Sequence, residues 1–199
     1  MKVTRNDFAW KGRNSILYMV HGINTSALIK KNSTMENLNT EDDCWLASFI
    51  NGKACFLINL NLRAKMNHGI ETWPSFLISQ KKDFENVNYT TLLRIMDLFR
   101  GGSVKFSRTN QTWKYETRSI DHIVRRVVPY FERNQHQLET SKRDDFLKFK
   151  RICLLINSKH HLSTSGIREI IETSFLMNFT GKKKISRKFL LRLLDKVKI

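Results

Sequence analysis

The chain has 199 residues and a mass of 23.5 kDa, room for one domain with an appendage. Hydrophobic residues make up 41%, which excludes wholesale disorder, while 35 Lys and Arg against 18 Asp and Glu leave a charge of +17 that asks for a polyanionic partner. No stretch approaches the ~18 apolar residues of a membrane span, and Cys44, Cys55 and Cys153 are too scattered for a disulfide framework or a CxxC zinc site.

Residues 1–39 read as a basic arm, with Lys2, Arg5, Lys11, Arg13, Lys30 and Lys31 opposed only by Asp7 and Glu36. Its acid-poor composition is that of an organellar targeting segment, and the arm is expected to be retained and docked on a partner. Phe numbers 13 while Pro numbers 2 and Gly 8, a bias that AT-rich codons of organellar genomes produce, so the expected location is the mitochondrion.

Thr40-Glu41-Asp42-Asp43 starts a helix, with a capping hydroxyl and carboxylates against the dipole. That helix carries Trp45, Leu46, Phe49 and Ile50 and stops at Asn51-Gly52. Phe56, Ile58, Leu60 and Leu62 then alternate with Leu57, Asn59, Asn61 and Arg63, the period of a strand. A second strand is expected over residues 73–80 and a helix over 89–99, ended by Gly101-Gly102. Two strands, 103–107 and 112–118, pair across Arg108-Thr109-Asn110-Gln111. Helices follow over 120–131, 141–157 and 164–177. Asp144-Asp145 read as partners for i,i+4 lysines, and His160-His161 as a polar turn. Last, Lys182-Lys183-Lys184 precede Ser186, which caps a basic helix through Leu194 with Ile185, Phe189, Leu193 and Val197 along one side.

Strand parity sorts these side chains. If Phe56, Ile58, Leu60 and Leu62 face the helices, then Asn59, Asn61 and Arg63 face away, together with Ser75, Lys105, Ser107, Lys114, Glu116 and Arg118. Asn and Arg suit base edges, and Lys and Arg suit phosphate.

Several ordered motifs carry a resemblance. They are Trp45-Leu46-Ala47-Ser48-Phe49-Ile50-Asn51-Gly52-Lys53-Ala54-Cys55-Phe56, Pro74-Ser75-Phe76 with Gln80-Lys81-Lys82-Asp83, and Phe99-Arg100-Gly101-Gly102-Ser103. Val128-Pro129-Tyr130-Phe131 comes next, then the run from Ser141 to Lys150, Leu162-Ser163 with Gly166-Ile167, and Met177-Asn178. Together they resemble the LAGLIDADG homing endonucleases in their single-motif form. The resemblance implies an α+β fold of order αββαββα over residues 40–178, with a four-stranded antiparallel saddle sheet, flanked by the arm at 1–39 and a basic helical extension at 179–199. It also implies that the concave sheet straddles a duplex.

In that family, two acidic residues near the end of the motif helix hold divalent metal at the scissile phosphates. Here the matching positions are Asn51 and Lys53, with Ala54 where glycine is usual. An amide offers a metal only a neutral carbonyl and an ammonium repels it. The expectation is therefore no catalytic residue, no metal or other cofactor, and no enzyme activity. Gln80 and Lys142 match ancillary positions. The leading expectation is an RNA-binding constituent of a mitochondrial ribosome, with rRNA and neighbouring ribosomal proteins as partners. The nucleic-acid contacts would be Asn59, Asn61, Arg63, Ser75, Lys105, Ser107, Lys114, Arg118, Lys142, Lys182, Lys183, Lys184, Arg187 and Lys188. The alternative is a DNA-binding homing-endonuclease remnant or intron maturase. A monomer within a larger complex is expected over a homodimer, because Ser48 replaces a common glycine and a symmetric pair would bring two Lys53 ammonium groups together. No membrane contact is expected.

Overall fold

A computed structural model describes residues 40–178 and 184–196. The expected arm at 1–39 and the lysines Lys182 and Lys183 lie outside the described residues. Helix α1 (Thr40–Lys53) runs straight into strand β1 (Ala54–Leu62) with no intervening loop. The helix is thus one residue longer than Asn51-Gly52 foretells. A turn closed by the Arg63 N–H donating to the Gly69 carbonyl (2.8 Å) leads into β2 (Ile70–Lys81). Gly69 takes φ +66° there, a left-handed conformation that glycine adopts without steric cost.

Then come α2 (Val87–Phe99), β3 (Ser103–Ser107) and β4 (Thr112–Thr117). The four strands form one antiparallel sheet in the order β1-β2-β4-β3. Strand β2 starts three residues earlier than its side-chain pattern foretells, because β1 pairs with it as far as Leu62↔Ile70, beyond the reach of β4. Pro74 sits in that half of β2, where one edge has no ladder to break. The Gly101-Gly102 signal holds for a specific reason. Gly102 has φ +90°, and a Cβ there would lie 2.6 Å from the Tyr115 ring, whose hydroxyl donates to the Gly101 carbonyl at 3.0 Å.

The helix expected over 120–131 is three segments: α3 (Ile120–His122), a π-helical stretch (Ile123–Val127) and α4 (Val128–Asn134). Pro129, within the first turn of α4, has no N–H for the ladder and crowds the carbonyl four residues back, so the helix widens just before it. Helices α5 (Thr140–Asn157) and α6 (Thr164–Phe175) follow, with His160–Leu162 as a 3-10 turn between them. Asp144 pairs with Lys148 as its spacing requires. Helix α7 (Arg187–Lys196) completes the described chain, its first turn met by Ser186 Oγ accepting from the Phe189 N–H at 3.3 Å. Among the described residues no helix is long and apolar enough to cross a membrane.

The core lies between the helices and the convex side of the sheet. Phe56 stands at its centre, with ring centroids 5.4, 5.0, 5.5 and 5.2 Å from Phe76, Phe131, Phe146 and Phe149. A second cluster joins Ile70 of β2, Ile167 and Ile171 of α6, and Leu190 and Leu194 of α7. The expected stripe on the last helix is corrected in part, since Ile185 and Leu193 do pack against this cluster. Leu190 and Leu194 are buried while Phe189 is 49% exposed, since α7 rolls its neighbouring ridge onto α6. Val197 lies outside the described residues.

Truncating the central ring opens a cavity among four aromatic neighbours. Phe56→Ala should lower the unfolding free energy by about 3–5 kcal/mol, read as a shift in urea midpoint, whereas Phe189→Ala should stay within about 0.5 kcal/mol of the parent.

Candidate nucleic-acid interface

The sheet's open face is set by parity. On β1 it carries Leu57, Asn59 and Asn61, and on β2 Glu71, Trp73, Ser75, Leu77, Ser79 and Lys81. On β4 it carries Thr112, Lys114 and Glu116, and on β3 Ser103, Lys105 and Ser107. Asn59, Asn61, Lys105, Ser107 and Lys114 therefore stand where alternation predicts. Trp73, Ser79 and Lys81 join them unforeseen. The signal for all three was the same alternation, one step before Ser75 for Trp73 and two and three steps past it for Ser79 and Lys81.

Other foreseen residues are occupied. Ser75 is fully buried, and its hydroxyl donates to Glu116 Oε1 at 2.7 Å, so it cannot reach a base. Arg118 Nε donates to the same carboxylate oxygen at 2.8 Å. Arg63 pairs with Glu71, and Arg187 pairs with Glu172 on α6. Lys142 is turned inward, its Nζ donating to the Ala54 carbonyl at 2.5 Å, so it is a structural tie rather than a nucleic-acid contact. Lys184 and Lys188 are exposed. Lys184 also lines a cavity of about 350 Å³ along the edge of β1 with Asn59, Asn61 and Trp73, which brings it beside the open face.

The strongest electrostatic feature is a cross-strand pair. Lys105 of β3 lies directly opposite Lys114 of β4 on the open face, and neither is ion-paired with a described residue. Like charges directly opposite in a sheet are destabilising. Glu116 lies one open-face row away. Burial pushes its carboxyl up, but hydrogen bonds from Arg118 and Ser75 and the charges of Arg118 and Lys105 outweigh that and hold it below its ordinary value. It is anionic at neutral pH. On the helices, Arg125, Lys148, Lys150, Arg151 and Arg168 are each matched by a carboxylate.

At the end of α1, Asn51 spends both ends of its amide. Nδ2 donates to the Gln137 carbonyl at 3.0 Å, and Oδ1 accepts the Glu139 N–H at 3.1 Å. Lys53 is exposed one half-turn further on. Among the described residues no group of three or more His, Cys, Asp and Glu is placed to hold a metal. A hard divalent cation needs several oxygen ligands, preferably carboxylates. An amide already engaged twice, beside a free ammonium, does not fit one.

The sequence model of the LAGLIDADG endonuclease family matches residues 46–153. This chain belongs to the LAGLIDADG endonuclease family. Among curated proteins it is 28% identical, over 64% of its length, to a probable intron-encoded endonuclease 2 of Neurospora crassa. It is 31% identical, over 67% of its length, to an uncharacterized 37.2 kDa protein of cox1 intron 2 in Schizosaccharomyces pombe. The chain spans only 25% and 36% of those two relatives. Among solved structures, the homing endonuclease I-TnaI matches with TM-score 0.63 and 26% identity, covering 78% of this chain and 97% of that one. The archaeal intron-encoded I-Vdi141I in complex with DNA matches with TM-score 0.71 at 18% identity, covering 79% and 96%. I-SmaMI bound to cleaved DNA matches with TM-score 0.66 at 23% identity, covering 81% of this chain but 49% of its own.

The αββαββα saddle fold expected from the motifs is thus the fold found. The expectation of a non-enzyme is corrected, because the matching family is one of endonucleases and relatives such as those of Neurospora crassa and I-TnaI are endonucleases by name. The Asn51 tie makes its own prediction. Asn51→Asp keeps the acceptor for Glu139 but sets a carboxylate against the Gln137 carbonyl, and should destabilise the fold by about 1–3 kcal/mol in thermal or urea denaturation.

Proposed function

We propose that this chain is the DNA-binding unit of an intron-encoded, mitochondrial homing endonuclease, hydrolysing phosphodiester bonds at a specific duplex site, and that the open sheet face is its reading surface. The observation that carries this is the Lys105–Lys114 pair. Lys105 and Lys114 stand directly opposite in register on one sheet face, a phosphate lying between them would relieve the like-charge repulsion, and a duplex supplies phosphates in a fixed row. Asn59 and Asn61, two residues apart on one face of β1, can pair with base edges, best with adenine. Trp73, directly across from Asn59, offers an apolar surface to a thymine methyl.

Glu71 and Glu116 contribute differently. Each carboxylate is held by an arginine, so each repels phosphate only weakly and can accept a hydrogen bond from a cytosine amino group. The relatives named as intron-encoded endonucleases, and a like-folded protein solved with DNA, support DNA over the ribosomal RNA expected from sequence. Relatives named for introns of cox1 and ND4, genes of mitochondrial genomes, support the organelle.

The test is binding measured across a salt series, with a randomised DNA duplex pool and an RNA duplex of equal length as competitors. Lys105→Ala and Lys114→Ala should each weaken DNA binding and lower the slope of log affinity against log salt by about 1. An unchanged slope in both variants, or equal affinity for RNA, would contradict the reading.

A further inference from the structure

The outer edge of β1 is only half closed. In an antiparallel strand the N–H and C=O of one residue point to the same side, and successive residues alternate sides. The Ala54 and Phe56 carbonyls turn away from β2, where Lys142 Nζ and Asn178 Nδ2 reach them at 2.5 and 2.7 Å. By the same alternation Ile58 and Leu60 turn their backbone groups outward, and no described residue bonds to them there. Pro74 agrees with this register, since it stands opposite Ile58 at a rung that needs no N–H from it.

Beside those two residues lies the cavity of about 350 Å³, and three features of its lining specify a ligand. Phe175, Ile185 and Leu190 give it apolar surface. Trp73 Nε1 is buried without a hydrogen-bond partner among the described residues, a donor that calls for an acceptor. Lys184 adds an exposed cation. We propose that this edge docks an extended, acidic segment of a partner protein, which adds to β1 as a fifth strand at Ile58–Leu60.

The added strand supplies an N–H and a C=O to each of the two open rungs, which lie roughly 6.8 Å apart. One of its side chains packs on Phe175, Ile185 and Leu190, a carboxylate meets Lys184, and an oxygen accepts the Trp73 N–H. Geometry selects a peptide over a nucleobase. Ile58 and Leu60 repeat the same donor and acceptor at a two-residue interval, the pattern another strand carries and a single base edge does not. Charge selects an acidic segment, because a chain of +17 repels a basic one. An unpaired strand edge is also a template for pairing in its own right. The inference stands apart from the duplex reading, which is carried by Lys105 and Lys114 on the far strands.

The probe is an array of synthetic seven-residue peptides with alternating β-branched residues and one or two Asp or Glu, read by fluorescence polarisation on the full chain. The tightest acidic peptide should bind about tenfold better than its lysine-substituted counterpart. Methylating its nitrogens that face β1 should weaken it about tenfold, and methylating the intervening ones far less. That comparison needs no variant of the protein. Lys184→Glu should reverse the charge preference, and Trp73→Phe, which keeps a ring but removes the N–H, should weaken binding about fivefold. In hydrogen exchange, the Ile58 and Leu60 amides should gain protection when the peptide is bound. Failure of every acidic peptide to bind, equal loss from both methylation patterns, or a bound peptide that leaves Ile58 and Leu60 unprotected would each overturn the inference. So would displacement of the peptide by a single-stranded oligonucleotide that itself protects those two amides, which would assign the edge to nucleic acid.

Discussion

Everything the saddle presents depends on how the junction between α1 and β1 is held. With no loop between Lys53 and Ala54, the helix fixes where the strand begins and which way each side chain turns. β1 is an edge strand, and its outward carbonyls would be left without ladder partners. Two side chains supply them. Lys142 of α5 donates to the Ala54 carbonyl, and Asn178 Nδ2 donates to the Phe56 carbonyl at 2.7 Å. Asn178 is itself positioned by its N–H on Asp145 Oδ1 at 3.0 Å. Asn51 ties the helix end to the chain entering α5. The result seats Phe56 among four aromatic rings and sends Asn59 and Asn61 to the opposite face. A slip of one residue would exchange those two sets.

Charge is then distributed by the same frame. On the helices, Arg125, Lys148, Lys150, Arg151 and Arg168 each stand beside a carboxylate. On the sheet, Lys105 faces Lys114, and the nearby Glu116 is engaged with Arg118 and Ser75. An excess of +17 on 199 residues favours a polyanionic partner, and the sheet offers a surface that can lie along one. Surface ion pairs contribute little to stability. At the sheet, Arg63 and Arg118 engage Glu71 and Glu116, which leaves Lys105 and Lys114 without an ion pair among the described residues.

Much of the architecture was legible in the residues. The period-two runs found β1, β3 and β4, and the apolar spacing found α2, α5 and α6 within a residue or two, because those elements bury one face and expose the other. Gly101-Gly102 was readable as a stop, although the reason for it, the Tyr115 ring, lies across the sheet. Several misses share one cause, a partner distant in sequence. Asn51 and Lys142 look like surface polar residues until residues 86 and 88 positions away receive their hydrogen bonds. Ser75 obeys parity yet is closed off by Glu116. On α7 two apolar ridges compete, and only contact with α6 selects Leu190 and Leu194 over Phe189. Inferring inactivity from Asn51 and Lys53 treats two positions of one helix as a complete site, whereas family membership places the chain among endonucleases.

The central claim is that the open face of the sheet, not the paired charges of the helices, meets DNA. Amide chemical-shift mapping on the full chain, titrated with a short DNA duplex, measures this directly. Shifts concentrated at Asn59, Asn61, Trp73, Lys105 and Lys114 are the predicted result. Shifts concentrated at Arg125, Lys150 and Arg151 on the helical side, with the strands silent, would contradict it.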